Sequence, residues 1–161
     1  MTDERFPVFI TENTVRSIAA LVFLLAVLAL VFASPWIALV LAIDFALRSL
    51  VTPKASFLAI IAKRLIAPRL KKERKPIPFR PKRFAAGIGL ILSVTAFLLA
   101  SFEVYVGFYV VTGVLALFSA LEAFAGFCAG CEVFVLLMRL RIISVENCPE
   151  CANLLKREEA E

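Results

Sequence analysis

Four long apolar runs dominate the chain: Ser17 to Ala33, Pro35 to Val51, Phe84 to Phe102, and Val104 to Met138. A helix that crosses a bilayer needs about 20 residues, with a range of roughly 17–25, so the first three runs fit and the fourth exceeds it. The pattern predicts spans at about 17–33, 35–51, 84–102 and 107–138, the last one overhanging, kinked or broken. Only short turns, around "SPW" and "SFEVYVG", separate the members of each successive pair, which makes two hairpins. Open sheet edges go unpaired in lipid, so helices are the expected elements. The predicted class is an all-α integral membrane protein with four transmembrane helices over residues 1–141 and a cytoplasmic tail over 142–161.

Composition sharpens this picture. Apolar residues make up 61% of the chain and mean hydropathy is +0.92, against roughly 45–50% apolar in soluble domains. The start, "MTDERFPVFITENTVR", lacks the basic opening and small-residue cleavage site of a secretory signal, so the first run is expected to be retained. The net charge of +5 is unevenly placed. Lys54, Lys63, Arg64, Arg69, Lys71, Lys72, Arg74, Lys75, Arg80, Lys82 and Arg83 all lie between the second and third runs, and the two outer turns hold no basic residue. The positive-inside rule makes that loop cytoplasmic, and both termini with it. A multi-pass protein of a prokaryotic cytoplasmic (inner) membrane is expected, with the basic charge read as a topology signal and no nucleic acid as partner.

Within the loop, Phe57, Leu58, Ile60, Ile61, Leu65 and Ile66 recur at helical spacing. This predicts an amphipathic helix at about 54–67 lying in the interface, with lipid as its partner: its apolar side among acyl chains and its cations near anionic headgroups. Prolines at 76, 78 and 81 forbid a continuous helix beyond it. A faint parallel repeat runs through the chain. Arg16 and Arg83 each precede a hairpin and an Ala-Ala pair, and each hairpin's second helix carries one mid-span carboxylate, Asp44 or Glu122.

The intramembrane polar residues are therefore Asp44, Arg48, Glu122 and Glu132. Asp44 and Arg48 stand i, i+4 and can pair on one helix face; that pair reads either as structural glue or as part of a substrate or proton path. Glu122 has no basic residue within a turn, so it is expected either protonated or paired with Arg48 across the bundle. On a continuous helix Glu122 points away from Cys131, and Glu132 projects closer to Cys128.

Every cysteine in the chain belongs to a Cys-x-x-Cys pair: Cys128 and Cys131 in "GFCAGCEVF", Cys148 and Cys151 in "NCPECANL". Membrane cysteines can be simply small apolar fillers. Yet two at i, i+3 can form a disulfide or hold one soft metal ion together. If the span breaks near Gly126, Cys128 lies at a helix N-terminus, where a thiolate is stabilised. Cys-Pro-x-Cys suits a dithiol oxidoreductase site and a zinc knuckle alike. The C-x2-C-x16-C-x2-C spacing falls within the window for a four-cysteine zinc site, and with no histidine in the chain such a site would need all four sulfurs.

"ENTVRSIAA", "IDFALRS", "PKRFAAGIG" and "FCAGCEVF", in this order, resemble an uncharacterised family of small bacterial four-helix membrane proteins, a domain of unknown function. Members are often encoded beside thioredoxin-like or rhodanese-like partners, and the resemblance thus implies thiol or sulfur chemistry without supplying an activity. The leading expectation is a dithiol relay or thiol-linked sulfur carrier, an enzyme only if it is a thiol–disulfide oxidoreductase, with Cys128, Cys131, Cys148 and Cys151 as reactive groups and no cofactor required. The alternatives are a protein that binds or transports mercury, copper(I) or zinc through the same four cysteines, and a structural or assembly protein in which they are incidental. The sequence does not set the oligomeric state.

Overall fold

The computed structural model describes residues 9–51, 56–62, 64 and 76–140. The loop helix expected at 54–67 is described only in part, and the tail with Cys148 and Cys151 lies outside the described residues. The elements, in order, are β1 (Phe9–Thr11), α1 (Glu12–Phe32), α2 (Pro35–Ala46), α3 (Phe57–Ile61), β2 (Pro76–Pro78), α4 (Phe79–Ser101), α5 (Tyr105–Ala120) and α6 (Ala129–Arg139). α2 runs on into a π-helical turn at Leu47–Val51, and α5 into another at Leu121–Ala125.

Three helices are long and apolar enough to cross a membrane: Glu12–Phe32, Arg80–Ser101 and Tyr105–Ala125. Large apolar side chains on each stay exposed, among them Leu24 and Val31, Ile91 and Leu98, and Val106 and Val110. A helix apolar all round is suited to lipid on one side and to protein on the other. Several hydroxyls inside the helices are satisfied by the preceding turn: Ser93 Oγ donates to Gly89 O at 2.7 Å, and Ser119 Oγ to Leu115 O at 2.8 Å. These need no water in an apolar medium, whereas the buried Thr112 Oγ1 of α5 has no partner among the described residues.

The helices cross on small residues. Ala26, Ala29, Ala38, Ala62 and Ala96 are almost wholly buried, the composition expected where helices must approach closely without a hydrophobic driving force from lipid. α2 packs chiefly on α4, and α1 on α5. Each hairpin therefore clasps the other instead of only folding on itself. At one end of the bundle the turns pass through positive φ at Ala33 and Glu103. At the opposite end the antiparallel pairing of β1 with β2, Ile10 against Ile77, ties together the starts of α1 and α4.

This geometry gives the parallel repeat a structural counterpart. Arg16 at the start of α1 donates from Nε to Ala123 O at 3.0 Å, and from its terminal nitrogen to Phe124 O. Arg83 at the start of α4 donates from Nε to Ser49 O at 2.8 Å. Each arginine caps the carbonyl-bearing end of the other hairpin's second helix, where unpaired C=O groups and the helix dipole favour a cation. By position in the two π turns, Glu122 corresponds to Arg48 and not to Asp44 as the sequence suggested.

Two boundaries differ from expectation. α4 begins at Phe79, five residues before the apolar run, because Pro81 falls in the first turn, where its missing N–H would have had no partner. The loop segment is only partly surface-lying: Leu58, Ala59 and Ala62 are buried in the bundle core, while Phe57, Ile60 and Ile61 stay exposed. Asp44 anchors α3. It is 0% exposed, accepts from Ser56 Oγ at 2.6 Å and from Leu58 N at 3.2 Å, and pairs with Arg48.

Candidate functional site

The long fourth run does break. Gly126 adopts φ +72°, a left-handed conformation that costs an L-residue roughly 1–2 kcal/mol, and it terminates the π turn after α5. Cys128 is extended, at φ −107° and ψ 99°, as the N-cap of α6. Cys131 sits one turn on, its backbone N–H donating to Cys128 O at 3.0 Å. The two sulfurs are in contact, with the Cys131 thiol donating to Cys128 Sγ, and both cysteines are free. The pair therefore lies beyond the third candidate span and not within a continuous helix over 107–138.

Two contacts hold α6 against α4. Phe84 and Phe134 pack with ring centroids 5.6 Å apart. Gly130 lies so close to α4 that an added Cβ would come within 2.6 Å of Ala85 Cβ and 2.8 Å of Ala85 Cα. Only glycine permits this approach, which sets Cys128 against the start of α4.

The break also changes the surroundings of the thiols. Glu122, which a continuous helix would aim away from Cys131, is paired with Lys82 from the first turns of α4. It is therefore not paired with Arg48, which is taken by Asp44. Both Lys82 and Glu122 are near enough to act electrostatically on the cysteines. The hydrogen bond from Cys131 is the main cause that holds the Cys128 thiol below its ordinary range; burial and Glu122 oppose it, and Lys82 assists it. The same bond, with burial, pushes the Cys131 thiol up. Cys128 is thus the better thiolate and Cys131 the proton donor behind it.

Cys128 faces a cavity of about 290 Å³ at the end of the bundle where α1 and α4 begin and α2 and α5 end. Its wall is mostly apolar, with Val15, Ile18, Val22, Phe45, Leu92 and Leu115, and its polar members are Arg48, Lys82, Ser119, Glu122 and Cys128. Of the predicted residues, Arg48, Glu122 and Cys128 meet here, and Cys131 adjoins through Cys128. Asp44 supports Arg48 from outside the lining. Glu132 stands one turn from Cys128, its N–H donating to Cys128 O at 3.1 Å, but it is exposed and does not line the cavity. Lys82 was read only as one of eleven topology charges. The signal that it belongs to the site was its place one turn before Ala85 and Ala86, the small residues that α6 and the cavity need.

The two halves of the chain treat this position differently. In the first half Ser56 is the N-cap of α3 and accepts from Ala59 N at 3.1 Å. In the second half Cys128 and Cys131 stand at the corresponding cap and third helical positions of α6. A structural cap in one half is a thiol pair in the other. No group of three or more His, Cys, Asp or Glu that could hold a metal ion occurs among the described residues.

Residues 10–139 match a family model described as Domain of unknown function (DUF4395), in agreement with the resemblance read from "FCAGCEVF" and its companion motifs. No curated protein and no solved structure matches the chain.

Proposed function

We propose that the chain, which belongs to the DUF4395 family, is a membrane-embedded dithiol protein whose Cys128–Cys131 pair cycles between thiol and disulfide or carries sulfur on Cys128. The observation that carries this reading is the break at Gly126. It places Cys128 at the N-terminus of α6, against a cavity and beside Lys82, with Cys131 behind it as resolving thiol. Thiolate at a helix N-terminus with a second thiol at i+3 is the arrangement that attacks a disulfide and is then released by its neighbour. The tail dithiol, Cys148 and Cys151, would exchange with this pair and with a thioredoxin-like or rhodanese-like partner.

The test uses the purified full-length Cys148→Ser/Cys151→Ser variant, in which only the site cysteines remain. A mild azo oxidant such as diamide is expected to convert it fully to an intramolecular disulfide, seen as a loss of two mass units and of both alkylatable thiols, and reversed by dithiothreitol. Retention of both thiols under conditions that oxidise a control dithiol would end the proposal.

In this reading α2 with its π turn, 17 residues in all, is the fourth span, short because Asp44 and Arg48 sit near its end. The exposed side of α3 lies in the interface. In the same reading the membrane is a prokaryotic inner membrane, and the eleven loop cations favour its cytoplasmic face for the cavity end of the bundle. A reporter fused after Lys75 should be active only on the cytoplasmic side, and activity on the outer side would reverse the orientation.

A further inference from the structure

We infer that the cavity beside Cys128 is the binding site of a lipid-soluble quinone, which takes the two electrons released when the dithiol closes to a disulfide. This rests on the dithiol reading above.

Three features select the ligand class. First, the charges of the wall are paired, Arg48 with Asp44 and Lys82 with Glu122, so the cavity offers no net charge to an anionic substrate. Second, Arg48 lines the cavity, and its side chain keeps 13% exposure while paired with Asp44. A guanidinium carries five N–H donors, more than one carboxylate can take, and a neutral carbonyl oxygen suits what is left over. Third, Phe118 and Val133 both line the cavity and are 40% and 43% exposed. The cavity wall is therefore continuous, along α5 and α6, with exposed apolar surface, as a ligand dissolved in lipid requires. About 290 Å³ is near the lower end of small-molecule sites, roughly 300–1,000 Å³, which suits one ring headgroup with its tail lying along that surface.

The chemistry balances. The Cys128 thiolate adds to a ring carbon of the quinone, whose oxygen takes up a proton. The Cys131 thiolate then attacks Cys128 Sγ, forming the S–S bond and breaking the S–C bond. The electron pair of that bond passes to the ring, and a second proton completes the hydroquinone. Two thiols and one quinone give one disulfide and one hydroquinone.

The experiment uses the full-length Cys148→Ser/Cys151→Ser protein, reduced, in detergent, with a benzoquinone carrying a ten-carbon tail. Quinone absorbance and free thiols are followed together. One quinone should be consumed per two thiols lost. Ala86→Phe, which fills the cavity, and Arg48→Lys, which keeps the charge on Asp44 but removes the guanidinium donors, should each slow the reaction at least tenfold at limiting quinone while diamide still closes the disulfide. If diamide closes the disulfide but quinone does not, or if both variants react as fast as the parent, the quinone inference fails and the dithiol reading stands. If neither oxidant closes the disulfide, the dithiol reading itself fails and the inference falls with it.

Discussion

Asp44→Ala is expected to lower the stability of the folded chain by about 3–5 kcal/mol, the scale for removing one partner of a buried ion pair. Asp44 is wholly buried and holds three donors at once: the Arg48 guanidinium, Ser56 Oγ and Leu58 N. Alanine leaves the guanidinium without its counter-charge and strips the start of α3 of its acceptor. Asp44→Asn keeps one oxygen for Ser56 and Leu58 and should lose distinctly less. A double variant, Asp44→Leu/Arg48→Leu, removes both charges and should also lose less than the single alanine change, because no uncompensated cation remains. Thermal unfolding in detergent measures all three. Equal losses for Asn and Ala would show that the hydrogen bonds to α3 contribute nothing, and a double variant that loses as much as Asp44→Ala or more would show that Arg48 has another partner.

The second large effect concerns the reactivity of Cys128. In the background lacking the tail cysteines, Lys82→Met should slow alkylation of Cys128 at neutral pH severalfold, because it removes a cation that favours the thiolate and leaves Glu122, which disfavours it, without its partner. Glu122→Gln should act in the opposite direction, because Glu122 disfavours the thiolate and Lys82 favours it. The sign with pH follows from the cause named first. The wild-type rate rises through a midpoint below that of an ordinary thiol, because Cys131 donates a hydrogen bond to Cys128. Cys131→Ala removes the donor and should move that midpoint to higher pH. Changes of the same sign for Lys82→Met and Glu122→Gln, or an unmoved midpoint in Cys131→Ala, would remove the assignment of Cys128 as the nucleophile.

Much of the molecule follows from its sequence. Apolar run length determines the helices that can cross a bilayer, since no other backbone arrangement satisfies its own polar groups there. The Asp44–Arg48 pair follows from i, i+4 spacing alone, and the thiol pair from its i, i+3 spacing. The repeat of Arg16 and Arg83 was legible as a pattern, but not its meaning, since each arginine caps a helix of the other hairpin, more than 30 residues away.

What only the tertiary structure decided lies around Gly126. Sequence periodicity assumes that a helix continues, and on that assumption Glu122 and Cys131 face apart. A single left-handed residue resets the direction of the chain, and the close seat of Gly130 on Ala85 then fixes where α6 goes. Lys82 acquires Glu122 as its partner because α4 starts before its apolar run and α5 ends in a π turn at the same level. Spacing along one helix can be read from the order of residues. Which end of one helix meets which end of another depends on packing between segments distant in sequence, and that is where this site is made.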